Sequence, residues 1–112
     1  MMKLQVTPAA RNDLKEIRAY ITNELMNPQA AINVVKRITT RIRSLMDFPA
    51  LGAPLSSVTE FDTDYRFLIC GNYMAFYRFD DRNVYILRIL YGRRDFIKIL
   101  FGISTVSGDE IP

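Results

Sequence analysis

The same helix-start signal occurs twice, twenty residues apart. Thr7-Pro8 and Asn27-Pro28 each place a capping side chain directly before a proline that fits the first helical position. After the first signal, apolar residues recur at Ala10, Leu14, Ile17, Ile21 and Leu25, at the three-and-four spacing of one helix face. After the second, Ala31, Val34, Val35, Ile38, Ile42 and Leu45 share a side, and Lys36, Arg37, Arg41 and Arg43 occupy the other. Phe48-Pro49 ends this second helix, because proline disfavours helix in the residue before it. Two amphipathic helices joined by so short a break fold back as an antiparallel hairpin. Such a hairpin has one apolar face and needs a second layer to cover it.

The remaining sequence supplies that layer. Lys3–Thr7 alternates polar and apolar residues and reads as an opening strand. Residues 49–63, with Pro49, Gly52, Pro54, Ser56 and Ser57, read as a loop long enough to be mobile or functional. Strands follow at Tyr65–Cys70, Tyr73–Phe79 and Val84–Tyr91, separated by turn signals at Gly71-Asn72 and Asp80–Asn83. Asp95 can cap a short helix over Phe96–Phe101. The expected fold is α+β in the order β-α-α-β-β-β, with the helical hairpin packed on one face of a mainly antiparallel sheet. One domain is expected over residues 1–103, followed by a flexible polar tail at 104–112. The sequence does not fix which strand the opening strand joins.

Both faces of the meander are apolar. In the last strand Tyr85, Leu87, Ile89 and Tyr91 alternate with Val84, Ile86 and Leu90; in the middle strand Tyr73, Ala75, Tyr77 and Phe79 alternate with Met74 and Phe76. One helical hairpin covers one sheet face. The other is expected to stay partly apolar, with arginines set into it, and to receive a partner.

Composition narrows the chemistry. At 112 residues the chain makes one small domain, and its 49% apolar content is too high for a disordered segment. No apolar run approaches the ~20 residues of a membrane span, and Arg11 and Asp13 precede any long apolar stretch, so neither membrane nor secretion is expected. Histidine is absent, which removes Ser-His-Asp and Cys-His catalysis and every His-ligated zinc site. The lone Cys70 excludes an internal disulfide and fits a reducing, cytoplasmic setting. No metal or organic cofactor is indicated. Catalysis, if any, falls to Arg, Lys, Tyr and carboxylates.

The net charge of +3 is modest, but residues 66–98 hold seven cations against three acids. Each meander strand brings one arginine, Arg66, Arg78 and Arg88, and Gly92-Arg93-Arg94-Asp95 follows directly. Together these form a candidate cationic surface for phosphate or carboxylate. Taken singly, each arginine also fits a rim position with its stem laid over the apolar face. Tyr65, Tyr73, Tyr77, Tyr85 and Tyr91 can stack on bases or act as acids, although strand aromatics mostly pack. Carboxylate pairs of the glycosidase kind and phosphate-binding glycine loops are absent.

The chain resembles the RelE/ParE toxin superfamily of bacterial type II toxin–antitoxin modules. The resemblance runs from about Leu4 to Phe101. It is carried by Ala10-Arg11-Asn12-Asp13-Leu14-Lys15-Glu16-Ile17, by Asn27-Pro28-Gln29-Ala30-Ala31 and by Phe48-Pro49-Ala50-Leu51-Gly52. The more telling matches are Tyr65-Arg66, Gly71-Asn72-Tyr73-Met74-Ala75-Phe76-Tyr77-Arg78 and Leu90-Tyr91-Gly92-Arg93-Arg94-Asp95.

That resemblance implies one of two activities. RelE-like members cut mRNA in the ribosomal A site; ParE-like members poison DNA gyrase and trap its cleaved DNA. Arg66 and either Arg94 or Arg93 fall where RelE-like toxins carry catalytic cations. The central catalytic arginine is replaced by Met74, and no tyrosine or histidine follows Tyr91. Arginine carries protons poorly, its pKa exceeding ~12. The resemblance therefore points to a ParE-like growth-inhibiting toxin, with an mRNA interferase using Arg66, Arg93 and Arg94 as the alternative. A third reading is a non-toxic module member that acts with its antitoxin as co-repressor. Target or antitoxin contacts are expected at Arg66, Met74, Arg78, Arg88, Arg93, Arg94 and Lys98. The expected partners are an antitoxin with an acidic amphipathic segment, gyrase or the ribosome with its mRNA, and operator DNA through the antitoxin only. That antitoxin segment is expected to add a helix against the hairpin and to cover the free sheet face.

Overall fold

A computed structural model describes residues 2–60, 62–92 and 94–102. The expected tail at 104–112 and Arg93 lie outside the described residues. Strand β1 (Lys3–Val6) leads into helix α1 (Pro8–Ala19), which continues as one π-helical turn over Tyr20–Glu24. Helix α2 (Pro28–Arg43) returns and closes with a 3-10 turn, Ser44–Met46. Then come β2 (Ala53–Pro54), a 3-10 turn at Leu55–Ser57, β3 (Arg66–Cys70), β4 (Tyr73–Phe79), β5 (Asn83–Tyr91) and α3 (Phe96–Phe101). The α+β architecture expected from the sequence is present, with the sheet in the order β1-β5-β4-β3-β2. β1 runs parallel to β5, and every other pairing is antiparallel.

Both helix starts form as their sequence dictates. The Thr7 hydroxyl accepts the Ala10 N–H at 3.1 Å, and the Asn27 side-chain oxygen accepts the Ala30 N–H at 3.0 Å. The end of the first helix differs from the expectation. The π turn inserts an extra residue, so Ile21 stays in the core while Leu25 swings out to 56% exposure. Met26, at φ 49, then takes the left-handed conformation that reverses the chain.

One core lies between the hairpin and the sheet. It joins Ala10, Ile17, Ile21, Ala31, Ile38, Ile42 and Leu45 to Leu68, Cys70, Ala75, Tyr77, Val84, Ile86 and Ile89. Strict alternation in β5 is overturned here. The register places Phe76 opposite Arg88 but Tyr77 opposite Ile86, which leaves Leu87 as an extra residue. This bulge puts Ile89 with Val84 and Ile86, and sends Leu90 to the other face.

The second sheet face is also corrected. It does not wait open for a partner along its length, because α3 folds back over it. Phe96 stacks on Phe76 with ring centroids 5.2 Å apart, and Phe101 stacks on Tyr65 at 5.4 Å. Leu55, Phe76 and Leu90 are thereby buried in a second small core, while Ile69 near the rim stays 58% exposed.

Between Pro49 and Ser57 the segment read as a loop is fastened to the sheet. β2 pairs Ala53 with Phe67 and Pro54 with Arg66. The Tyr77 hydroxyl, reached from beneath, accepts the Gly52 N–H at 2.9 Å and donates to the Pro49 carbonyl at 2.7 Å. Two-residue strands carry too little pattern to be read from sequence.

Candidate functional site

The three strand arginines do not converge, because each is held by a different partner. Arg66 donates from Nε and Nη2 to the Gly52 carbonyl at 3.1 and 2.6 Å, and from Nη2 to the Ala50 carbonyl at 3.2 Å. Arg78 pairs with Asp64 at 3.3 Å on an exposed edge and lies over the Tyr85 ring. Arg88 makes a two-pronged pair with Asp13 of α1, both contacts at 2.7 Å. Its guanidinium is held above its ordinary pKa chiefly by the hydrogen bond to Asp13.

Asp13 is the residue that sequence reasoning missed. It is the one buried charged side chain among the described residues, and it also accepts the Ile89 N–H at 2.9 Å. β1 stops beside Ile86, so β5 has no strand neighbour on that side from Leu87 onward. Asp13 meets part of that edge in its place. The signal was present: a carboxylate three residues after Ala10 and four before Ile17 sits on the buried stripe of an amphipathic helix. An acid there must find a partner, since an unpaired buried charge is costly.

The other predicted contact residues are spread over the sheet's far end. Met74 packs in the second core beside α3, with Phe67, Phe76 and Leu90. Lys98 is exposed on α3, whose start is capped by the Asp95 carboxylate accepting the Lys98 N–H at 3.2 Å. Arg94 is exposed, and its backbone N–H donates to the Tyr91 carbonyl at 2.9 Å.

Arg94 borders a cleft of about 740 Å³ between the hairpin and the open end of β5. Its apolar wall is made by Ile17, Tyr20, Ile21, Val34, Tyr73 and Tyr91, with Asp13 and Glu16 to one side. Tyr73 meets Tyr91 edge-on at 5.8 Å. Burial, with smaller contributions from Tyr91 and Tyr20, pushes the Tyr73 phenol above the usual tyrosine range. It is therefore protonated at neutral pH and presents a neutral surface. Tyr20 and Leu25 at the mouth are more than half exposed. Apolar side chains exposed around a concave wall mark a place for a partner.

Proton-transfer chemistry is sparse around the cations. Tyr77 is tied to the 49–52 segment, and the Tyr85 phenol is raised mainly by its hydrogen bond to Asp80. Cys70 is buried, its thiol pushed up by desolvation against the opposing pull of Arg41. No group of three or more metal-ligating side chains occurs among the described residues, and no helix among them is long and apolar enough to cross a membrane.

Similarity to known proteins follows the same fold. A family profile described as the ParE toxin of the type II toxin–antitoxin system parDE matches residues 4–96. The chain belongs to the ParE toxin family. It is a type II toxin of the RelE/ParE superfamily. A solved structure of the chromosomal ParDE system of P. aeruginosa superposes with a TM-score of 0.68 at 26% identity, covering 81% of this chain and 96% of that one. The toxin–antitoxin complex RelBE2 of Mycobacterium tuberculosis superposes at 0.55 with 25% identity, covering 80% and 96%. Comparison with curated protein sequences returns no match. This ParE-family chain shares its architecture with both branches of the superfamily. Architecture alone therefore does not choose its target.

Proposed function

We propose that this chain is a growth-inhibiting toxin that acts on DNA gyrase rather than by cutting mRNA. The observation that carries the reading is the setting of Arg66. Its guanidinium is turned onto the Ala50 and Gly52 carbonyls, where it fastens a segment of its own chain. A cation used this way stabilises fold. RNA cleavage needs cations aimed at the phosphorane and a group that moves protons. Here Met74 stands where the resemblance puts a catalytic arginine, and Arg88 is neutralised by Asp13. The ParE family match supports the same reading.

The antitoxin that silences it is proposed to occupy the cleft between hairpin and sheet. An amphipathic segment would place apolar side chains on Ile17, Val34, Tyr73 and Tyr91, and a carboxylate near Arg94. The free face expected to receive it is covered by α3, so the hairpin side is the surface left to dock on.

Two reactions with the purified full chain test the target. With gyrase and plasmid, accumulation of protein-linked cleaved DNA is expected. With ribosomes and mRNA, primer extension is expected to show no new 5′ ends. Cuts at A-site codons that disappear in Arg94→Ala would overturn the gyrase reading and make this an RNA-cleaving enzyme.

A further inference from the structure

Among the described residues, unpaired positive charge lies on the helical hairpin as well as at Arg82, Arg94 and Lys98 in the half where the sequence concentrates it. Of the meander arginines, Arg78 and Arg88 are ion-paired and Arg66 is bound to carbonyls. The hairpin, residues 8–43, holds seven cations against three carboxylates, and one of those three is Asp13, already neutralised by Arg88. α2 itself carries Lys36, Arg37, Arg41 and Arg43 with no acid in its sixteen residues. All four are exposed. The carboxylates nearest in sequence, Glu24 and Asp47, lie beyond either end of the helix.

Their arrangement around the helix is specific. At roughly 100° per residue, the buried stripe of Ala31, Ile38 and Ile42 leaves Thr40 at the outward crest. Lys36 and Arg43 lie on one flank of that crest, Arg37 and Arg41 on the other, the two flanks about 120° apart. Arg41 is held in place, with Nε and Nη2 donating to the Ile69 carbonyl at 3.3 and 3.1 Å. Lys36, Arg37 and Arg43 have no ion-pair partner among the described residues.

We propose that α2 is a docking face for duplex DNA, contacting phosphates on both walls of one groove. A single α-helix fits the B-form major groove, roughly 12 Å wide, with its two flanks toward opposite walls. The narrow major groove of A-form RNA does not admit it. Single-stranded RNA is disfavoured because the cationic crest has no aromatic side chain for stacking; the exposed aromatics Tyr20, Phe48 and Tyr91 lie on other segments. An acidic peptide is disfavoured because the crest between the cations is polar, at Asn33 and Thr40, and the exposed Ile32 lies off it, one turn before Lys36 on the flank. The chain thus has its own contact with DNA, whereas the sequence reading routes operator DNA through the antitoxin alone. The inference does not depend on gyrase being the target.

The test is fluorescence anisotropy of the full chain on a short labelled duplex of arbitrary sequence across a salt series. With three fully free cations, affinity is expected to fall about forty-fold between ~50 and ~200 mM salt. The triple variant Lys36→Gln/Arg37→Gln/Arg43→Gln is expected to lose that salt-dependent binding while keeping the wild-type melting temperature, since all three side chains are exposed. Arg82→Gln, in the β4–β5 turn, is expected to bind as wild type. Absence of duplex binding at low salt, equal binding by the triple variant, or tighter binding of single-stranded RNA would each overturn the proposal. So would displacement of the duplex by polyglutamate at matched charge.

Discussion

Arg88 and Asp13 meet through two contacts of 2.7 Å across the interface between the last strand and the first helix. Asp13 is 6% exposed, and it meets the guanidinium beside the stretch of β5 that has no strand neighbour beyond Ile86. Asp13→Ala leaves a partly buried guanidinium and the Ile89 N–H without their acceptor. A loss of about 3 kcal/mol in urea unfolding is expected. Arg88→Ala alone is expected to cost a similar amount. The double variant should cost clearly less than the two single losses added together; strict additivity would show that the pair contributes no coupling.

Arg66 separates a fold-holding role from a catalytic one. Arg66→Ala removes three hydrogen bonds to the 50–52 segment and is expected to cost about 1–3 kcal/mol, with faster proteolysis in that segment. Growth arrest per folded molecule should be retained. If arrest vanished while stability and proteolysis stayed unchanged, Arg66 would be a contact or catalytic residue.

Tyr77 and Gly52 form a second fastening. Tyr77→Phe leaves the Gly52 N–H and the Pro49 carbonyl without the hydroxyl, and a loss of about 2 kcal/mol is expected. Gly52→Ala should be worse than Tyr77→Phe. Its Cβ would collide with the Phe67 carbonyl oxygen and come within 2.8 Å of the Tyr77 ring and hydroxyl. Because the obstacle is backbone, the strand has no easy way to yield. Equal melting temperatures for Gly52→Ala and wild type would contradict this packing.

Acid should weaken the β4–β5 turn through Asp80. Its carboxylate is held below the usual range chiefly by the backbone N–H groups of Arg82 and then Asn83, both at 2.8 Å. A depressed carboxylate stabilises the fold above its unfolded pKa, and that contribution fades as pH falls through the lowered value. The melting temperature of Asp80→Ala should therefore lie below wild type at neutral pH and converge with it in strong acid. A difference that persists unchanged at the acid end would assign the effect to something other than the ionised carboxylate.

Much of this molecule was legible from residue order. Thr7-Pro8 and Asn27-Pro28 start their helices as caps must, and Gly71, at φ 64, makes the tight β3–β4 turn. These features are local, decided by side chains within four residues. The alternation in β4 likewise sorted Tyr73, Ala75, Tyr77 and Phe79 from Met74 and Phe76, as the two cores confirm. β2 was not legible, since two residues held by distant partners carry no period. The bulge in β5 was not legible either, because Leu87 is as apolar as its neighbours.

The candidate site divides along the same line. Sequence supplied the arginines and the toxin-family resemblance, and composition removed histidine-based chemistry. Tertiary structure decided what each cation does. It turned Arg66 inward, paired Arg88 with a helix seventy-five residues away, folded α3 over the face expected to be open, and left a run of cations on α2 without an acid on the same helix. Periodicity depends on near neighbours, which a single sequence contains. Neutralising a charge or covering an apolar face depends on which distant group arrives there, and that is settled only when the layers pack.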